Sequence, residues 1–185
     1  VFVQMLPERF ADASFREKFN RVVQLELSKL ERLTENLLQM ARPASQALLP
    51  LELKGQIERV SHLLKYQFRQ KQVTLETELS GEPWVRAAPD ELGQVLINLL
   101  INALAVSAAG QAVRLTAFVR EQRVIVQVLD QGSGIAGSQL ERLFEPFFTT
   151  KADGSGLGLA TSLRIVESFG GTLRVQNSNE GSGAC

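Results

Sequence analysis

The sequence predicts an α+β protein: an α/β sandwich with a mixed, mostly antiparallel sheet and helices on one face, preceded by a partial helical hairpin. Residues 15–42 contain neither glycine nor proline and repeat apolar residues at alternating spacings of four and three, which is typical of a long amphipathic helix. From residue 51 onward, helical periodicity is mixed with strand-like alternation. The glycines are also unevenly distributed, because ten of the 14 lie between Gly132 and Gly183. The glycine-free front part of the chain and the glycine-rich later part are therefore expected to have different functions.

The front part is predicted to be one half of a dimerisation hairpin. Residues 1–6 look like the end of a preceding helix and residues 7–14 like its connection, which together define residues 1–43 as a partial hairpin. The apolar stripe is wider than a two-stranded coiled coil needs, so we expect a partner chain to cover it. Residues 44–50, small and bounded by prolines, are predicted to be a linker, and residues 51–185 a second domain.

Each element of the second domain is predicted from its local pattern. Two alternating runs flank the two-residue link Glu121 and Gln122, which indicates a β-hairpin. Asp90 is the expected N-cap of an apolar helix. The predicted order is strand 51–53, helix 56–70, strands 74–79 and 84–87, helix 91–106, strands 112–120 and 123–130, helix 157–169 and strand 172–176.

Composition excludes several functional classes. Equal numbers of basic and acidic side chains, 20 each, argue against a nucleic-acid binder. One cysteine permits no internal disulfide, and one histidine, His62, leaves too few ligands for a zinc site of those residues. No apolar run reaches the roughly 18 residues of a membrane span. We expect a cytoplasmic location, with any membrane anchor in regions upstream of this chain.

The helix at residues 91–106 carries amides on an otherwise apolar surface. Gln94, Asn98 and Asn102 are four residues apart and share one face. A buried amide without a partner costs about 1–3 kcal/mol, so these side chains need polar neighbours. Two interpretations remain open: the amides bond a neighbouring strand or loop, or their oxygens face a hydrated cation such as Mg²⁺.

Two glycine-rich segments follow. In Asp130-Gln131-Gly132-Ser133-Gly134, a carboxylate after a strand could accept a hydrogen bond from an exocyclic amine, although a turn with a capping aspartate has the same pattern. Residues 153–159 place glycines before a helix, where backbone N–H groups suit a phosphate. This second segment does not follow a strand in a βαβ unit, so a Rossmann fold is excluded. The three phenylalanines of residues 143–151 between them either pin a loop to the core or contact a ligand, and a mobile lid anchored by aromatic side chains fits both interpretations.

Taken in order, these segments resemble the ATP-binding domain of sensor histidine kinases, within the superfamily of gyrase, chaperone and mismatch-repair ATPases. The resemblance covers residues 51–185, and residues 15–42 resemble the second helix of the family's phosphoacceptor hairpin. It implies ATP and Mg²⁺ as cofactors, with residues 138–155 as the lid. The implied site residues are Asn102 on Mg²⁺, Asn98 lining the same site, Asp130 on the adenine amine, Gly132 and Gly134 around the base, Gly154, Gly156, Leu157 and Gly158 near the phosphates, and Lys151 as a phosphate contact.

The residue one turn before Asn102 distinguishes branches of this superfamily. Relatives that hydrolyse ATP place a glutamate there as general base, whereas this chain has Asn98, which cannot accept a proton from water. The resemblance therefore implies transfer of the γ-phosphoryl group to a histidine, for relay to a response regulator receiver domain, by a homodimer joined through the hairpin. His62 lacks the acidic neighbour and following proline of the family's acceptor motif. We expect the acceptor upstream of Val1, and a chain cut from a longer protein.

Two other functions remain as alternatives. The chain could be a nucleotide-regulated dimerisation and interaction module that transfers no phosphate. It could also be a related ATPase in which lid closure drives conformational work, although Asn98 counts against that alternative.

Overall fold

The computed structural model describes residues 10, 12–41, 47–151 and 154–177, and the chain divides into two compact units, Val1–Arg42 and Pro43–Cys185. In this described part of the chain, no helix is both long enough and apolar enough to cross a membrane.

The first unit contains helix α1, Ala13–Ala41. It begins two residues before the predicted start because Asp12 caps it: Asp12 Oδ1 accepts hydrogen bonds from the backbone N–H groups of Ser14 at 2.9 Å and Phe15 at 3.4 Å. Phe15 is buried, and its ring stacks on Phe19 with the centroids 6.2 Å apart. The helix end predicted over residues 1–6 lies outside the described residues.

The second unit alternates helices and short strands. Its elements are β1 Leu49–Glu52, α2 Leu53–Gln70, β2 Thr74–Leu79, β3 Trp84–Ala87, α3 Pro89–Val106, β4 Ala112–Arg120, β5 Arg123–Leu129, α4 Gly137–Leu140 and α5 Gly158–Ser168. Strands β1 and β3 pair antiparallel in a two-stranded sheet, while β4 pairs parallel with β2 and antiparallel with β5 in a three-stranded sheet. The predicted mixed, mostly antiparallel architecture is confirmed, although its strands form two sheets.

The hydrophobic core lies between helices α2 and α3 and one face of the three-stranded sheet. Alternate residues of the central strand β4, Val113, Leu115 and Ala117, point into it and are almost fully buried. Fully burying a valine or leucine side chain contributes about 1.5–3 kcal/mol. Both helices thus cover the same face of the sheet, and their packing fixes the position of α3 and its amides.

The predicted hairpin forms between β4 and β5. Glu121 and Gln122 both adopt positive φ, +49° and +62°, as the two central residues of a type I′ turn require. Arg120 pairs with Arg123 directly beside the turn. This turn sets the register that carries β5 to Asp130.

Asp90 is not the N-cap of α3, and this prediction was wrong. Ala88 is the N-cap and Pro89 the first helical residue, because proline already has the φ of a helix and its missing N–H is not needed there. Asp90 lies in the first turn, where its charge is favourable at the positive end of the helix dipole.

Other parts of the prediction also differ from the structure, and helix α2 begins at Leu53 where residue 56 was expected. Leu49 and Pro50, predicted to be linker, belong to β1, which among the described residues pairs only with β3 and so tolerates a proline as an edge strand does. Residues 172–176 alternate in burial but are not assigned to a strand. Instead, the side-chain amide of Asn177 pairs with the backbone of Ile135: Asn177 Oδ1 accepts from Ile135 N and Nδ2 donates to Ile135 O, both at 2.8 Å.

Candidate functional site

Three segments that are distant in sequence meet at the C-terminal end of α3. Lys151, in the loop before α5, donates a hydrogen bond from Nζ to Asn102 Oδ1 at 2.9 Å, and its Nζ is 3.5 Å from Asn102 O. The turn after β5 lies against the last residue of α3, since a Cβ on Gly132 would come within 2.8 Å of Val106 Cγ2. The predicted residues Asn102, Asp130 and Lys151 therefore belong to one locality.

Lys151 is held where positive charge is in excess. Burial lowers the pKa of its ammonium below the usual 10.5, and the neighbouring charge of Lys71 lowers that pKa further. The carboxylate of Asp130 acts in the opposite direction without offsetting the other two effects. An added anion would stabilise the charged form of Lys151, which is the electrostatic requirement of a phosphate site.

Lys71 is a site residue that the sequence did not reveal. It follows the last residue of α2, and its Nζ donates to the carbonyl oxygens of Leu104 at 2.6 Å and Ala105 at 2.7 Å. Helix α3 has no basic residue in its own last turn, so α2 supplies the cation that its negative end favours. The sequence shows that the last turn of α3 has no basic residue, which indicates that a cation could come from elsewhere, but it does not identify Lys71 as that cation.

The turn after β5 is closely built around Asp130. This residue is 9% exposed, and its Oδ1 accepts from the backbone N–H of Gly132 at 2.9 Å, so the capping interpretation of this segment is realised. Gly132 leaves no space for a side chain, and Gly134 adopts a φ of +72°. These features fix the direction in which the carboxylate points.

Two glutamines beyond the end of the β4–β5 ladder hold this turn in place. Gln131 Oε1 accepts from the backbone N–H of Ala112 at 3.0 Å, and Gln111 Nε2 donates to Gln131 O at 2.9 Å. Sequence reasoning missed both, because a glutamine in a loop has no distinctive pattern.

Asn98 serves a different neighbour from Asn102. Its Nδ2 lies 3.3 Å from both Gly158 O and Ser162 Oγ, so it donates to the first turns of α5. Of the two interpretations of the α3 amides, Asn98 therefore fits the one in which the amide bonds a neighbouring element. It ties α5 to α3, whereas the Asn102 oxygen contacts a cation.

The glycines of the glycine-rich loop, the segment around the start of α5 that contains Gly154, Gly156 and Gly158, have different surroundings. Gly156 has a φ of +67° and packs against the backbone of Phe147, whose N–H donates to Gly156 O at 3.0 Å. Gly158 is the first residue of α5, and a Cβ there would be at ordinary contact distance, 3.7 Å, from Asn98 Cγ.

Leu157, between Gly156 and Gly158, is fully buried, so only its backbone could face a ligand. Gly154 lies against Thr149 in the same loop.

The phenylalanines before this loop do not share one environment. The Phe147 side chain is 61% exposed, while the ring of Phe148 lies under the guanidinium of Arg142, with Cζ 4.5 Å from the ring centroid. Arg142 also pairs with Glu145 at 3.0 Å. The Phe147 side chain therefore does not pin this segment to the core.

The site residues fit a magnesium ion better than a metal with nitrogen or sulfur ligands. Within residues 10, 12–41, 47–151 and 154–177, no cluster of three or more histidine, cysteine, aspartate or glutamate residues could hold a metal. Mg²⁺ takes few protein ligands, all oxygen, and fills its shell with water and phosphate. Asn102 Oδ1 already accepts from a cation and is suited to that role. His62 lies elsewhere, on the exposed side of α2.

Comparison with known proteins finds the same family by sequence and by structure. Residues 87–185 match the family described as histidine kinase-, DNA gyrase B- and HSP90-like ATPases. The sensor histidine kinase ZraS of Salmonella typhi is 39% identical over 168 residues, which is 89% of this chain and 36% of that protein. The chain thus spans about a third of the length of this curated relative.

Two solved histidine kinases have a similar structure. ThkA in complex with the response regulator protein TrrA matches with a TM-score of 0.82 and 25% identity, over 99% of this chain and 53% of that one. Full-length ShkA in complex with AMPPNP matches with a TM-score of 0.72 and 29% identity, over 96% of this chain and 37% of that one.

Proposed function

Because this chain belongs to the histidine kinase-, DNA gyrase B- and HSP90-like ATPase family, we propose that it is the catalytic part of a sensor histidine kinase. It binds Mg-ATP and transfers the γ-phosphoryl group to a histidine on a hairpin helix. The phosphoryl group then passes to an aspartate of a response regulator.

The observation that carries this proposal is the contact between Lys151 and Asn102. An amide oxygen suited to Mg²⁺ and an ammonium suited to phosphate lie 2.9 Å apart, at the end of the helix beside the buried Asp130. A magnesium nucleotide presents a divalent cation and phosphate oxygens at the same place, so one ligand satisfies both groups.

Each site residue has a proposed role. Asn102 would hold Mg²⁺, which when bound neutralises charge on the phosphates. Asp130 accepts from the adenine amine, with Gly132 and Gly134 leaving room for the base. Backbone N–H groups around Gly154, Gly156, Leu157 and Gly158 face the phosphates, because the start of α5 is the positive end of its dipole. Lys151 contacts the phosphates, and Asn98 holds α5 in position.

Transfer is favoured over hydrolysis by the chemistry of Asn98. Its Nδ2 is engaged with Gly158 O and Ser162 Oγ, and a neutral amide cannot act as the general base that activates water. Catalysis would then depend on positioning and charge neutralisation. The names of the relatives support this choice, since ZraS and ThkA are both histidine kinases.

The proposed partners follow from the same comparison. ThkA was solved with a response regulator, and we assign a receiver domain of that class to this chain as its phosphoryl acceptor. We further propose that α1 contributes to a homodimer through its apolar stripe. The proposed location is the cytoplasm, where Mg-ATP is available.

The binding step is tested by titrating Mg-AMPPNP into the protein in a calorimeter. Asn102→Ala and Asp130→Asn should each weaken binding at least about tenfold, because the first removes the oxygen proposed for Mg²⁺ and the second replaces a charged acceptor of the adenine amine by a neutral amide. Asn20→Ala, a matched change at an exposed residue of α1, should leave binding unchanged. Wild-type protein that binds no nucleotide, or site variants that bind as wild type does, would refute the proposal.

A further inference from the structure

We propose that Lys151 determines a preference of this site for ATP over ADP, because its ammonium exchanges between two partners. In the structure its ammonium donates to the Asn102 oxygen, and it leaves that oxygen for the γ-phosphate when ATP binds. This inference rests on the proposed function, since it assigns a specificity role within the same nucleotide site.

The first step is the position of the ammonium. Lys151 Nζ lies 2.9 Å from Asn102 Oδ1 and 3.5 Å from Asn102 O, so it covers the polar atoms that α3 presents here. The oxygen proposed to hold Mg²⁺ thus accepts a hydrogen bond from this ammonium. Two cations cannot share this oxygen at close range without strong repulsion, so Lys151 must withdraw for Asn102 to hold Mg²⁺.

The second step is that Lys151 needs a new anionic partner after it withdraws. Its ammonium is half-buried beside the like charge of Lys71, and Asp130 is the nearby opposite charge. Lys71 cannot take over either contact, because its own Nζ is bonded to Leu104 O and Ala105 O. A γ-phosphate supplies the missing anion, whereas a diphosphate offers less negative charge and one phosphoryl group fewer.

The third step is that the Lys151 side chain can reach a second partner. The backbone N–H of Lys151 donates to Thr149 Oγ1 at 3.1 Å, a local contact within the loop that does not constrain Nζ. The four-carbon stem of lysine is flexible and carries a compact charge, so Nζ can reorient from Asn102 Oδ1 toward a bound phosphate.

The test compares two nucleotides in two variants. In wild-type protein, Mg-AMPPNP should bind more tightly than Mg-ADP by calorimetry. Lys151→Met should weaken Mg-AMPPNP about tenfold or more, the loss of one charge-assisted hydrogen bond, and leave Mg-ADP unchanged or tighter. The ratio of ADP affinity with Mg²⁺ to that in EDTA should rise, because the Asn102 oxygen no longer has a competing cation.

Controls separate this specificity role from other effects. Lys65→Met removes an exposed lysine of α2 and should change neither affinity nor their ratio. If Lys151→Met does not fold, Lys151→Gln carries the same test with a neutral polar side chain. Equal losses for both nucleotides, with an unchanged effect of Mg²⁺, would overturn the inference alone. Wild-type protein that binds neither nucleotide would overturn the proposed function and this inference with it.

Discussion

Single residues of the glycine-rich loop differ in what the fold requires of them. Gly156 combines a positive φ of +67° with close packing on the backbone of Phe147, so a side chain there meets atoms that cannot rotate away. Gly158 has ordinary helical surroundings and room for a Cβ at 3.7 Å from Asn98 Cγ. The fold therefore explains glycine at position 156, whereas no steric contact in the structure requires it at position 158.

Alanine substitutions separate these two requirements. Gly156→Ala should lower the free energy of unfolding by about 1–3 kcal/mol, the cost of a strained backbone conformation. Gly158→Ala should change that free energy by less than about 1 kcal/mol, since alanine is the better helix former. Denaturant unfolding measures both. If Gly158 faces the phosphates as proposed, its alanine variant should still lose affinity for Mg-AMPPNP. Equal destabilisation by the two changes would contradict this distinction.

Among the elements, helix α3 connects the core to the site. Its buried residues, including Leu96 and Leu100, pack between α2 and the sheet, which fixes its position. From that fixed helix Asn98 reaches α5 and Asn102 reaches Lys151. The end of the helix depends on a neighbouring element, because Lys71 after α2 bonds its last carbonyl groups.

Removal of the Lys71 charge should weaken that end of α3. Lys71→Met keeps most of the stem and should lower the free energy of unfolding by about 1–2 kcal/mol, the value of a partly buried cation at a helix C-terminus. Lys65→Met, at an exposed position of the same helix α2, should have an effect below about 0.5 kcal/mol. Equal effects of the two substitutions in urea unfolding would show that the contacts of Lys71 with α3 contribute nothing measurable.

At the scale of the whole molecule, the proposed nucleotide site is separate from the proposed phosphoryl acceptor, which is a histidine on a hairpin helix. All proposed nucleotide-site residues belong to the unit Pro43–Cys185. The chain has one histidine, His62, which is exposed on α2. Leu64 and Phe68 on the same helix face the core, so His62 lies on the side of α2 away from the sheet.

Incubation with γ-labelled ATP should therefore leave this chain unlabelled. A separate hairpin that carries the family's acceptor histidine should gain acid-labile phosphate when it is mixed with the chain and Mg-ATP. His62→Gln should not alter the rate of that transfer, whereas Asn102→Ala, which removes the oxygen proposed for Mg²⁺, should reduce it at least about tenfold. Stable phosphate on His62, or loss of transfer in the His62 variant, would contradict this account.

Features that depend on residues close together in the chain could be predicted from the sequence. The turn at Glu121 and Gln122 and the helices α1 and α3 follow from local backbone preference and apolar periodicity, and the order of the motifs indicated the family. The contacts between polar groups, in contrast, became visible only in the folded chain. Lys151 and Asn102 are 49 residues apart, and Lys71 and Leu104 are 33 apart. The physical reason is that such contacts depend on how α2, α3 and the loop pack, and a single lysine in the sequence has no periodicity to mark its partner.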